Sequence, residues 1–147
     1  STSPRLESAI RAAFAPQLRA EGFAGSGRRF HMIHNRWIHI ITIQGSRYGG
    51  SFAVNMGLHF ATAPDLAGNP LALKKMNEAH CAFRRRLSET NYDRWWKHDL
   101  DAESMLAAVA SAASVYSLYG RRYFEAACTG LMALTPEALI SGAYDLQ

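Results

Sequence analysis

Six histidines, two cysteines and a run of three arginines are the residues of this 147-residue chain whose types could do chemistry. Cys81 follows His80 directly, the order of a nucleophile beside its base. On a strand, however, neighbouring side chains point to opposite faces and cannot share a hydrogen bond. His31 and His34 have a short metal-ligand spacing, but His34 falls in a predicted turn, and a zinc site needs several ligands converging at ~2.0–2.3 Å. His31 and His59 share a predicted face yet lie two strands apart, about 10 Å. No Gly-Ser-Gly nucleophile elbow is present, and "GSRYGG" has neither the Walker lysine nor a helix start behind it. The sequence therefore predicts no catalytic residue, no metal and no cofactor.

What remains is binding chemistry. In "FRRRL" a strand would send Arg84 and Arg86 to one face and Arg85 to the other, and with Arg29, Arg36 and His31 the run could make the second sheet face an anion-binding surface, on which Asn55 and His59 are further candidate binding residues. The structural alternative is that these arginines pair with Asp93, Asp99 or Glu89. Of the adjacent Trp95 and Trp96 one is expected inside and one at the surface as an interface anchor, and Trp96 joins the candidate binding set. His39 is the odd member of an otherwise apolar strand face. It is either a structural histidine with a satisfied ring or a polar anchor at the floor of an apolar pocket.

The elements that must position these groups follow from periodicity. "SPRLESAIRAAFAPQLRAEGF" opens with Ser3 as a helix cap and Pro4 in the first turn, and Leu6, Ile10, Phe14 and Leu18 form one stripe. Pro16 should split this helix and Gly22 end it. Strand-like runs then flank His34-Asn35; a two-residue turn there would pair Met32 with Trp37 and Phe30 with His39. With "GSRYGG" as the next turn, Ile43 would face Phe52, Ile41 Val54, His39 Met56 and Trp37 Leu58. One face then reads Phe30, Met32, Trp37, His39, Ile41, Ile43, Phe52, Val54, Met56, Leu58 and Phe60. The other carries Arg29, His31, Arg36, Thr42, Asn55 and His59, and is dented at Ala53 and Gly57, where a partner could approach. Residues 61–70 read as a loop, and 79–88 fit helix or strand equally. Asp101 should cap a helix with Met105, Val109, Ala112, Tyr116 and Tyr119 on one stripe and Gly120 as its stop. A further helix can begin at "RRYFEAAC" and a short last one at Thr135-Pro136.

Composition sets the class. An apolar fraction of 48% and a charged fraction of 19% describe an ordinary globular chain, long enough to bury roughly 68% of its unfolded surface in a single domain, 1–147. No apolar run reaches the ~20 residues of a membrane span, and "STSPRLESAI" lacks the apolar block of a secretion signal. Cys81 and Cys128 are too few for a disulfide framework and suit a reducing cytosol, so the expected location is cytoplasmic. The net charge of +4 is uneven: residues 1–50 hold seven Arg against two Glu, 101–147 two Arg against five acids. A basic sheet end admits an acidic or nucleic-acid partner.

Several pieces occur in an order that chance rarely produces: "APQLRAEGF" ahead of a strand pair, "IQGSRYGGSFAVNMGLHF", "HCAFRRRLSE", then "DRWWKHD". Over roughly residues 10–100 the chain resembles a bacterial family defined as the domain of unknown function 4304 family. The resemblance implies a strand around Cys81 to Leu87 and supplies no catalytic residue to carry over. The fold expected is α+β, an antiparallel sheet of three to four strands with N-terminal and C-terminal helices mainly on one face. The function expected is non-enzymatic binding of a protein or acidic ligand, one concrete form being an immunity or inhibitor-type partner of a bacterial toxin. A nucleic-acid module that stacks bases on His31, His59 and Tyr48 is the second reading, and an enzyme of unknown type the third.

Overall fold

Alternating apolar residues build the sheet, and the break imposed by Pro16 shapes what covers it. The computed structural model describes residues 5–90 and 92–131, with side chains through 126. Helices α1 (Leu6–Ala13) and α2 (Ala15–Ala20) part at Phe14, and Pro16 sits in the first turn of α2, where its missing N–H costs nothing. Gly22 takes φ +106° and turns the chain into the strands. Arg5 stands at the N-cap position of α1 and makes no side-chain cap hydrogen bond; the Ser3 cap, Pro4 and the Thr135-Pro136 helix lie outside the described residues.

Among the described residues the sheet has six strands rather than three or four: β1 (Ala24–Ser26), β2 (Arg29–His34), β3 (Trp37–Gly45), β4 (Ser51–Phe60), β5 (Phe83–Arg86) and β6 (Trp96–Lys97). All neighbours are antiparallel in the order β1-β2-β3-β4-β5, with β6 pairing the start of β4. The extra strands, β1 and β6, are three and two residues long, too short for period-2 alternation to register.

Both hairpins are two residues out of the expected register. His34 pairs with Trp37, Met32 with His39 and Phe30 with Ile41, because Asn35 rather than His34 opens the turn, at φ 57°. Asparagine tolerates that left-handed conformation better than most residues. In the next hairpin Gly49 and Gly50 both take positive φ, and Ile43 meets Val54, Ile41 Met56, His39 Leu58 and Trp37 Phe60. A slip of two preserves the faces, whereas a slip of one would exchange them. Trp37, Ile41, Val54 and Leu58 are therefore buried together under Ile10, Phe14 and Leu18 of the N-terminal helices and Met105, Val109 and Ala112 of α3 (Ala102–Val115).

Asp101 caps α3 by accepting from the Ser104 N–H at 2.7 Å. Gly120 does not stop the helix. A π-helical turn, Tyr116–Gly120, leads straight into α4 (Arg121–Leu131). The wider turn carries Tyr119 off the stripe to 43% exposure, while Tyr116 stays buried. Gly120 instead makes room for the Tyr116 ring, which a Cβ there would approach to 2.3 Å.

The second sheet face is covered by the chain itself. Residues 61–82 cross it with two short 3-10 turns, Leu73–Lys75 and Glu78–His80, and Met76 and Cys81 seal a second apolar cluster over Ile38 and Ile40. The dent at Gly57 receives this crossing: a Cβ at position 57 would lie 2.7 Å from Cys81 Sγ and 3.1 Å from Glu78 Cα. Gly57→Ala is thus expected to lower unfolding free energy by ~1–3 kcal/mol as an overpacking change, read from a denaturant midpoint. An unchanged midpoint would mean that the crossing segment does not press on β4.

Candidate functional site

The register sets the predicted anion-binding residues in rows across the second face. Arg29, Thr42, Asn55 and Arg86 form one row, and His31, Ile40, Gly57 and Arg84 the next. Arg86 is committed to the fold: Nε donates to Asn55 Oδ1 at 3.1 Å, Nη2 to Gln44 Oε1 at 3.1 Å and Nη1 to Asp93 Oδ2 at 3.0 Å. Its guanidinium also lies 4.9 Å from the centre of the Trp95 ring. Asn55 Nδ2 donates to Gln44 and to Glu78, and the Thr42 hydroxyl donates to the same Glu78 carboxylate, so the network clasps the crossing segment to the sheet. Pairing with Asp93, the structural alternative for the arginine run, is what Arg86 does. Arg86→Leu should therefore cost ~1–3 kcal/mol by stranding its buried partner Asn55, and Arg84→Leu, at an exposed site, under ~0.5 kcal/mol. Equal losses in denaturation would refute this division of roles.

The other candidates fare differently. His59 is fully buried, Nδ1 accepting from the Ala82 N–H at 3.0 Å and Nε2 donating to the Pro64 carbonyl at 2.7 Å, so its ring is not available for base stacking. Burial holds the pKa of His59 below its ordinary value, and burial with nearby Lys74 does the same to half-buried His31. Arg29 and Arg84 are exposed. Trp96 is the inward member of the tryptophan pair, stacked on Phe52 at 5.7 Å with its Nε1–H donating to Ser111, and half-buried Trp95 is the outer one. The thiol of Cys81 is pushed up to about 12 by burial and then by Glu78, while His80 Nδ1 accepts from the Asn77 N–H. The two do not form a nucleophile and base. Among the described residues no three of His, Cys, Asp or Glu converge as metal ligands.

An opening lies on the helix side, at the sheet end where the β2–β3 turn, the end of β4, the end of α2 and the π-helical turn meet. It is a cavity of about 970 Å³. Trp37 and Phe60 meet edge to face at 5.1 Å in its wall, and His39 stacks on Phe124 with ring centres 4.4 Å apart and planes 5° from parallel. Burial, and then the neighbouring His34, lowers the pKa of His39 to about 4, so the imidazole is neutral at pH 7. Arg36 stands at the same opening, away from the rows that carry Arg29 and Arg84.

Glu21 caps the end of α2 at this cavity. Its Oε1 accepts from Arg121 Nε at 2.9 Å and from the Tyr116 hydroxyl at 3.4 Å, whereas its Oε2 is buried and accepts no hydrogen bond. The Tyr116 phenol is raised above its ordinary pKa, first by burial and then by Glu21. Sequence reasoning missed Glu21, Tyr116, Arg121 and Phe124 as a group because separations of 95 and 100 residues divide the bonded pairs. No local spacing encodes such a meeting.

No curated protein and no solved structure matches the chain. A family model does: residues 14–114 match the domain of unknown function DUF4304. That span runs from the Phe14 break through the whole sheet and its crossing segment to the last turns of α3, and the chain belongs to the DUF4304 family.

Proposed function

We propose that this chain is a non-enzymatic binding domain that holds its ligand in the cavity between the sheet end and the helices. The observation that carries this reading is the cavity itself: about 970 Å³, with the Trp37, Phe60, Tyr116 and Phe124 rings on its walls among charged and polar side chains such as Glu21, Arg36 and Arg121. That is the make-up of a ligand pocket. His39 is held neutral and the Tyr116 phenol is raised, so neither of these two exchanges a proton readily at neutral pH. The arginine face supports binding less well, because residues 61–82 cover its centre and Arg86 is spent on the clasp. A cytosolic setting is part of the proposal, supported by Cys81 as a buried free thiol. No helix among the described residues is long and apolar enough to cross a membrane.

The test is enrichment of small molecules from a deproteinised cell extract on the purified chain, compared with a Met32→Trp variant that fills the cavity. Circular dichroism checks that the variant is folded. A compound retained by the wild type, lost with the variant and recovered with its mass unchanged is the expected result. A compound recovered chemically altered would make the chain an enzyme, and no difference between the two proteins would remove the cavity from the account.

A further inference from the structure

Among the described residues that line the cavity, Glu21, Arg36, Arg121 and Glu125 carry fixed charges, and Arg36 stands apart from the other three. Arg121 Nε holds Glu21 Oε1 at 2.9 Å. Glu125, one helical turn further along α4, is close enough to Arg121 and Tyr116 to act on both electrostatically. Arg36 is exposed at the opening and makes no ion pair among the described residues. Its backbone is nonetheless fixed: Asn35 before it takes φ 57°, its own carbonyl accepts from the Ala61 N–H at 2.7 Å, and Trp37 after it is buried. An uncommitted guanidinium is thus carried on a fixed turn at an opening walled by Trp37 and Phe60. The helical wall includes Tyr116 and Gly120's π-helical turn, a rare conformation that proteins keep mostly at functional sites.

We infer that the cavity recognises a ligand with an aromatic body and a carboxylate head, the carboxylate paired with Arg36 and the body against Trp37 and Phe60. The inference rests on the cavity being the binding site and adds the chemistry of what enters it. A guanidinium offers parallel N–H donors to one planar carboxylate, and its single uncompensated charge matches a single negative charge. A phosphate monoester would bring about two negative charges into a cavity that already holds Glu21 and Glu125. An amine would meet Arg36 as a like charge and gain no hydrogen bond from it.

Three probes with one body and different heads separate the possibilities: 3-phenylpropionate, 3-phenylpropanamide and phenethylamine, titrated calorimetrically into the full chain. The carboxylate should bind about fivefold or more tightly than either of the others, and that advantage should shrink as salt is raised. Arg36→Met should bring the carboxylate to within about twofold of the amide and leave the amide's own affinity unchanged, with folding checked by the thermal midpoint. If Arg36→Met does not fold, Arg36→Lys should still weaken the carboxylate, because a lysine cannot hold it with two parallel donors; an unchanged affinity there would overturn the inference. Met32→Trp, which fills the cavity, should abolish binding of every probe. A carboxylate preference that survives Arg36→Met, or an amine bound as tightly as the carboxylate, would overturn the carboxylate rule while leaving the cavity as the site. Binding that survives Met32→Trp, or binding of none of the three, would overturn both.

Discussion

Ile41→Ala should lower the unfolding free energy by about 2 to 5 kcal/mol, the cost of a core truncation that leaves a cavity. Ile41 is fully buried at the centre of β3, between Phe30 and Met56 on its neighbouring strands. Neighbours held from both sides by the ladder have little freedom to collapse into the space, which favours the upper part of the range. Urea denaturation of the variant beside the wild type provides the measurement. A loss under about 0.5 kcal/mol would mean that β3 turns its other face to the helices.

Acidification should destabilise the fold in a defined window. The pKa of His39 falls from 6.5 to about 4 on folding, chiefly through burial. Between those values the unfolded chain binds a proton that the folded chain refuses, so stability is full above pH 6.5 and is lost as pH falls toward 4. The loss due to His39 approaches ~3 kcal/mol, at ~1.4 kcal/mol per pH unit. His59 and His31 are shifted in the same direction by burial and add to the slope. Chemical denaturation at pH 7 and pH 4.5 gives the difference directly, and His39→Phe should flatten it. Stability that rises on acidification, or a slope that His39→Phe leaves intact, would contradict the assignment of a buried neutral imidazole.

The faces of the sheet were legible because alternation survives an even register slip. Trp37, Ile41, Val54 and Leu58 land together whether His34 or Asn35 opens the turn. The pairing itself depends on which residue takes positive φ, a choice that alternation does not encode. The polar face could be read as a set of residues but not as a surface, because its cover is a segment of loop composition. That segment buries only Met76 and Cys81 deeply against Ile38 and Ile40, and Gly57 marks the approach of Cys81 and Glu78 rather than of a foreign partner. His39 was legible as a polar residue on an apolar face. Glu21 was not, since its significance comes from Tyr116 and Arg121, far away in the chain.

The central claim is that recognition happens at the helix-side cavity and not on the arginine face, and chemical-shift mapping on the isotope-labelled chain tests it most directly. Phenethylamine and 3-phenylpropionate are titrated separately, so that the map does not depend on which head group is preferred. The account predicts shifts from whichever probe binds at the Trp37 indole N–H, the 34–37 turn and residues 120–124. Shifts confined to Arg84, Arg86, Asp93 and Trp95, or no shift with either probe, would contradict it.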